Sequence, residues 1–242
     1  MISIISPVYN SQGCLKKLVE KIIFYSSKVA NKFEIILVDD GSKDGSWNTI
    51  TMLKKKYDFV KGIKLTKNYG QHLAIYQGIK SSTKKLIIIL DCDLQDNPAY
   101  IVDMFELYMK KKKPIIIKHS YKNFKLRNRI VSNIFWYFLA VISLKRFSPY
   151  LGNYILIDYK IKKKYLSKSK ISYLYGDLLM QGNNFIYIKK KKSHGARSYT
   201  TYTLTKLFSL ALNLIIRYNI FSVFFCRFTK NEMKKILVEK KI

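Results

Sequence analysis

The sequence predicts an α/β fold: a doubly wound, mostly parallel sheet, followed by a C-terminal amphipathic, membrane-facing helical segment. Three observations carry this expectation. Short apolar, β-branched runs recur at Ile2–Val8, 33–38, Val60–Leu65 and 86–90, and the stretches between them space their apolar residues as helices do. Most of these runs are apolar at successive rather than alternate positions, the pattern of strands buried on both faces. Each run also ends in polar or acidic residues, so one rim of the sheet collects the chemistry.

The elements follow in order. Ile2–Val8 gives way at Pro7 and the turn residues Asn10 and Ser11. Leu15, Leu18, Val19, Ile22 and Ile23 mark a helix over 15–29. The second strand, 33–38, runs into Asp39-Asp40-Gly41-Ser42, and a helix over 44–53 starts at a cap formed by Asp44 or Ser46. Val60–Leu65 is the third strand and Gln71–Ser81 a helix. The fourth strand, 86–90, leads straight into Asp91, Asp93 and Asp96, with Gln95 between them and Pro98 closing the turn. Beyond Pro114 come a short strand at 115–117, a basic segment with Arg127 and Arg129, and an apolar run at 130–144. That run is too short to cross a bilayer and reads as a buried or interfacial helix. Further strands are expected at 154–157 and 184–188. The stretch 204–228 is apolar and aromatic but contains Lys206, Asn213, Arg217 and Asn219. Burying Arg217 in mid-span would cost roughly 2.5–3.5 kcal/mol or more, so a helix pair lying in the interface, or packed on the sheet, is expected instead. The domain division is therefore 1–203, split into halves 1–106 and 107–203, with amphipathic helices over 204–242.

Charge separates the two halves. The formal net charge is +30, yet between Glu106 and Glu232 the only acids are Asp158 and Asp177. A carboxylate-bearing front half and a basic back half point to an anionic partner: an acidic membrane surface, phosphorylated substrates or nucleic acid. Nucleic acid is the weakest of these. No recognition helix, RNP-like aromatic motif or zinc pattern is present, and a cluster of acids repels phosphate in the absence of metal. Three widely spaced cysteines, Cys14, Cys92 and Cys226, give neither a disulfide framework nor a zinc site and suit a reducing compartment. MISIISPVYN has no charged n-region, so no signal peptide is expected.

Asp91 and Asp93 are two residues apart, and a fully extended strand would point both to one side. Paired hard oxygens at a strand end suit Mg²⁺ or Mn²⁺ holding a diphosphate. Four segments share this rim: Pro7-Val8-Tyr9-Asn10, Val38-Asp39-Asp40-Gly41-Ser42, Lys67-Asn68-Tyr69-Gly70-Gln71 and Asp91-Cys92-Asp93-Leu94-Gln95-Asp96. In this order they resemble the family 2 glycosyltransferases of GT-A fold. The DLQD form, with the preceding KNYGQHLAIYQGI, resembles the branch of dolichyl- and polyprenyl-phosphate sugar transferases. The likeness runs over about residues 2–106.

The resemblance implies roles. Pro7 and Tyr9 would flank a nucleotide base, uridine by default, and Asp39 and Asp40 would accept hydrogen bonds from base and ribose. Ser42 would cap the next helix, while Lys67, Asn68 and Gly70 would shape the phosphate pocket. Asp91, Asp93 and Gln95 would hold the metal on the sugar-nucleotide diphosphate, with Asp93 at the reacting centre. His72 is read as a helix-surface residue. Arg127 and Arg129 resemble a basic pair that contacts an acceptor phosphate, and Arg197, Ser198 and Tyr202 resemble a further acceptor loop. Where relatives carry an Asp-Phe-Arg-Leu-like segment, this chain has Asn153-Tyr154-Ile155-Leu156. The function implied is inverting sugar transfer from a nucleotide sugar to polyprenyl phosphate, in surface polysaccharide or lipopolysaccharide assembly. The enzyme would be peripheral on the cytoplasmic membrane face, and self-association is left open. An already ionised phosphate acceptor needs no general base. A lipid-linked glycan hydroxyl would need one, and Asp177 is then the candidate, with Asp158 behind it.

Overall fold

The computed structural model describes residues 1–120, 151–167, 174–180, 184–191 and 238–242. Its centre is β1 (Ile2–Val8), flanked in parallel by β2 (Phe33–Asp39) and β4 (Leu86–Ile89). β3 (Val60–Leu65) continues the sheet beyond β2, also parallel. On the other side β6 (Leu151–Asp158) runs antiparallel to β4, followed by β5 (Ile115–Ser120) and β7 (Ile186–Lys191). With β8 (Val238–Lys241) on β3, the strand order is β7-β5-β6-β4-β1-β2-β3-β8. The chain winds one way from β1 through β2 to β3 and the other way to β4. The β1–β4 junction is therefore the switch point at which open α/β sheets form their ligand crevice.

The continuous apolar runs make sense face by face. Ile2, Ile4, Ile35 and Leu37 enter one core layer with Leu15, Leu18 and Ile22 of α1 (Gln12–Ser26) and Ile50 of α2 (Ser46–Lys56). Ile5, Ile36 and Val38 enter the other, against Ala74, Ile75 and Ile79 of α3 (Gln71–Ser81). Each such fully buried aliphatic side chain contributes about 1.5–3 kcal/mol. α4 (Tyr100–Lys111) was not expected from periodicity. It covers the first layer through Ile101 and Met104. α5 (Tyr159–Leu166) and α6 (Leu174–Met180) lie on the second through Ile161, Tyr165, Leu174 and Tyr175.

The starting ends of β1 and β2 are tied together by a buried carboxylate. Glu34, 2% exposed, accepts Lys61 Nζ at 2.6 Å, Ser3 Oγ at 2.6 Å and the Thr83 backbone N–H at 2.6 Å. Burial alone would raise its pKa, but these hydrogen bonds outweigh burial and hold it down at about 2.

The chain end differs from the sequence expectation. Amphipathic helices were expected through 242, whereas Val238–Lys241 is a strand paired antiparallel to β3. The backbone edge of β3 offers free hydrogen-bonding groups, and Ile242 exchanges both backbone bonds with Gly62, at 2.7 and 2.9 Å. Val238 and Ile242 pack against the two core layers, one on each. The interfacial helices expected over 130–144 and 204–228 lie outside the described residues. Among the described residues no helix is long and apolar enough to cross a membrane.

Candidate active site at the carboxyl rim of the sheet

Parallel strands deliver their carboxyl ends to one rim, and the loops there are laced to each other. The loop after β1 and the loop after β2 exchange hydrogen bonds. Asn10 N–H donates to Ser42 Oγ at 2.9 Å and Lys43 N–H to Asn10 Oδ1 at 2.8 Å. Ser11 N–H reaches Ser46 Oγ, Gln12 N–H reaches Asp44 Oδ2, and Gly45 N–H returns to Gln12 Oε1. Asp44 Oδ1 also accepts Ser46 N–H at 3.0 Å, but the residue at the cap of α2 is Gly45, with no side-chain cap hydrogen bond, so neither Asp44 nor Ser46 caps the helix as expected. Ser42 lies four residues before α2 and locks the β1 loop instead of capping the helix. This lacing has no signature in the sequence beyond a density of Asn, Ser, Gln and Asp. It fixes where Tyr9 emerges, 38% exposed, from the buried Pro7-Val8 pair.

Asp39 and Asp40 are both buried but differ in task. Asp40 gives one oxygen to Tyr69 N–H at 2.8 Å and the other to Gly70 N–H at 2.9 Å, pinning the β3–α3 loop. Burial nevertheless dominates and pushes its pKa up to about 6, with the charge on Asp39 adding to the rise. Asp39 Oδ1 accepts Ser42 N–H at 3.2 Å, while Oδ2 is buried and has no hydrogen-bond partner. Burial raises its pKa too. Gly41, at φ 67°, lets the chain pass directly over the next loop: a side chain there would meet the Lys67 carbonyl carbon at 2.5 Å. Lys67 and Asn68 are exposed, and the Lys67 ammonium stands 5.4 Å from the centre of the Tyr69 ring.

The second group of acids departs from the extended-strand expectation. β4 ends at Ile89, and 91–96 fold as a turn through Leu94 at φ 63°. Asp93 Oδ1 accepts Gln95 N–H at 2.9 Å, and Asp96, 2% exposed, accepts Asp91 N–H at 3.1 Å. Gln71 at the start of α3 donates Nε2 to Asp91 Oδ1. Cys92, between the two acids, is turned into the core and donates to Ser11 Oγ at 3.1 Å. Burial, followed by the Asp91 and Asp93 charges, pushes its thiol up to about 11.

This donor set fits a hard divalent cation shared with a substrate. Asp91 and Asp93 are half-buried carboxylates held by the turn. Among the described residues no group of three or more His, Cys, Asp or Glu could hold an ion alone. Mg²⁺-type sites commonly use one or two carboxylates and complete the shell with phosphate oxygens and water.

The family model for "Glycosyl transferase family 2" matches residues 3–180. The chain belongs to that family. Curated relatives include the undecaprenyl-phosphate 4-deoxy-4-formamido-L-arabinose transferases of Shewanella sediminis and Yersinia pestis. The first is 39% identical over 104 residues, 43% of this chain and 31% of the relative. The second is 42% identical over 101 residues, 41% of this chain and 31% of the relative. The chain thus matches about a third of the length of these relatives. Among solved structures, glucosyl-3-phosphoglycerate synthase from Mycobacterium tuberculosis, in complex with Mn²⁺, UDP and glucosyl-3-phosphoglycerate, superposes with a TM-score of 0.64. It is 12% identical, and the match covers 89% of this chain and 77% of that one. A Pyrobaculum calidifontis mannosyltransferase in complex with GDP-Man and Mn²⁺ gives 0.58 at 13% identity, covering 93% and 64%. These similarities establish the GT-A type of sheet.

Within this family 2 domain, Pro7, Tyr9, Asp39, Asp40, Ser42, Lys67, Asn68, Gly70, Asp91, Asp93 and Gln95 all lie on rim loops or strand ends. Asp177 is buried in the first turn of α6. Tyr175 of that turn packs on Phe185, and its hydroxyl lies 3.4 Å from that of Tyr187 at the starting end of β7. Asp158 caps α5 by accepting Ile161 N–H at 2.9 Å. His72 lies in the first turn of α3, half-buried rather than on the surface. Arg127, Arg129, Arg197, Ser198 and Tyr202 lie outside the described residues.

Proposed function

We propose that this chain transfers a sugar from a nucleoside-diphosphate donor to a polyprenyl phosphate, at the cytoplasmic face of a membrane, in assembly of a surface glycan. The observation that carries the reading is the rim itself. An unpartnered buried carboxylate oxygen on Asp39 and a turn presenting Asp91 and Asp93 end strands that flank β1, about 10 Å apart at two inter-strand spacings. That separation suits the base at one end of a nucleoside diphosphate and the phosphates at the other.

In this reading Asp39 Oδ2 accepts an N–H of the base, beside the exposed ring of Tyr9. Asp40 holds the 69–70 backbone in place, and Lys67 adds positive charge near the phosphates. Asp91, oriented by Gln71, and Asp93, oriented by its own turn, would hold Mg²⁺ or Mn²⁺; Gln95 is a further oxygen donor. A bound divalent ion offsets charge building on the departing nucleoside diphosphate. The relatives named as undecaprenyl-phosphate transferases favour a phosphate acceptor, whose oxygen is already ionised. A lipid-linked glycan hydroxyl would instead call on Asp177 as the base. β5 ends and β6 begins at this same rim, and Arg127 and Arg129 stand between the two strands in the sequence. Those arginines are proposed to neutralise the acceptor, and Arg197, Ser198 and Tyr202 to assist. Lysines of the basic half would bind an anionic leaflet at about 1 kcal/mol each.

The test is transfer from radiolabelled UDP- and GDP-sugars to undecaprenyl phosphate in vesicles, with Mn²⁺ or with EDTA. Label in the lipid fraction that disappears with EDTA supports the proposal. Label passing only to a lipid-linked saccharide would replace the acceptor, and no transfer from any donor would defeat it.

A further inference from the structure

We infer that Asn153 is a sugar-reading residue: its side-chain amide takes a hydrogen bond from a hydroxyl of the transferred sugar, beside Asp91. The inference rests on the proposed nucleotide-sugar reading and adds a specificity contact to it. β6 runs antiparallel to β4, with Leu86 opposite Asp158 and Ile89 opposite Ile155. Continued two residues past its last pair, where β4 gives way to the acidic turn, that register would set Asn153 opposite Asp91. Because β6 is reversed, its first residues rather than its last stand at the rim.

The face is fixed as well. Ile155 and Ile157 enter the core layer under α3, whereas Tyr154 and Leu156 enter the opposite one. Alternation along the strand therefore sends Asn153 to the α3 side, the side from which Gln71 holds Asp91. On the other side Tyr154 donates its hydroxyl to the Asn97 carbonyl at 3.1 Å, tying the start of β6 to the turn that carries the acids.

Asn153 is 7% exposed, and its Oδ1 is buried without a hydrogen-bond partner. Buried amide oxygens are nearly always paired, so an orphan at a ligand rim marks a contact that a ligand completes. The chemistry narrows the ligand. A carbonyl oxygen needs a hydrogen-bond donor, which ionised phosphate is not. An amide offers acceptor and donor at one place, and a hydroxyl answers both. A sugar nucleotide carries hydroxyls on its ribose and on its sugar; β6 lies beyond β4 from the Asp39 end at which the base is proposed to sit, which favours the sugar.

The test compares binding of UDP with UDP-glucose, and GDP with GDP-mannose, each with Mn²⁺, to the wild-type chain and to Asn153→Leu by calorimetry. Leucine keeps the branched outline of asparagine, though larger, and removes the polar group, so the variant is expected to melt near the wild-type temperature. Affinity for the free diphosphate is expected to stay within twofold. The extra affinity conferred by the sugar is expected to fall about five- to tenfold. A set of deoxy analogues of the better donor should identify one hydroxyl whose removal weakens wild type by that factor and leaves Asn153→Leu unaffected. Equal dependence on every hydroxyl in both proteins would overturn the role of Asn153, as would a loss of affinity shared by diphosphate and sugar nucleotide. Failure of wild type to bind either diphosphate with Mn²⁺ would instead strike the nucleotide-sugar reading, and this inference with it.

Discussion

The two ends of β2 treat buried carboxylates in opposite ways. At its start Glu34 is surrounded by donors and held ionised, near pKa 2. At its other end Asp39 keeps one oxygen unpartnered, and Asp40 is pushed up to about 6. One strand thus has an end saturated with hydrogen bonds, where charge supports the fold, and an end left short of them, where charge costs stability. A buried carboxylate oxygen left without a partner, in a chain able to satisfy Glu34 completely, is best explained by a partner that arrives from solution.

The contrast can be broken in several ways. The largest effect is expected at the unsaturated rim: Asp93→Ala should lower Mn²⁺-dependent transfer by about 10³-fold, with the unfolding midpoint in urea nearly unchanged. Parallel loss of stability and activity would mean that the turn is structural.

Next is pH. Asp40 has a folded pKa above its unfolded value, so the native state holds a proton that the unfolded state releases between about pH 4 and 6. Its contribution should therefore make the chain more stable as pH falls from 7 towards 4, by about 2 kcal/mol. Asp40→Asn should flatten that part of the profile in urea unfolding at stepped pH. Glu34 has the opposite sign. Its stabilisation is present above about pH 4.5 and is lost as pH falls towards 2.

Glu34→Gln should cost about 2 kcal/mol at pH 7, a figure reduced because its Lys61 partner is 40% exposed, while UDP affinity stays the same. The smallest stability change is expected for Asp39→Asn, neutral to about 1 kcal/mol more stable, yet with UDP binding weakened about tenfold. Calorimetric titration beside thermal melts separates the two outcomes.

Much of the front half was legible because burial on both faces leaves a dense apolar trace. Ile2–Val8, Val60–Leu65 and Gln71–Ser81 fall where periodicity places them. Rim acids were legible as types, since Asp39, Asp40, Asp91 and Asp93 follow strand ends directly. Their division of labour was not. Only the fold brings Tyr69 N–H and Gly70 N–H to Asp40, across 29 and 30 residues of sequence. α4 escaped notice because Tyr100–Lys111 follows the acidic turn and frays into four lysines, which conceal the buried pair Ile101 and Met104. The reversed β6 carries no mark of its direction, since strand periodicity is the same both ways. Asn153 therefore read as a lost acid rather than as a neighbour of Asp91.

The inward-facing sulfur between Asp91 and Asp93 bears on which ions can compete at this rim. A thiolate there would favour zinc, cadmium or copper(I), and traces of those metals would silence the protein. With Cys92 turned into the core and its thiol pushed up to about 11, the described turn offers such ions the oxygens of Asp91 and Asp93 rather than a thiolate. Thiol-directed reagents should likewise pass this position by, so alkylation is expected to leave nucleotide binding intact.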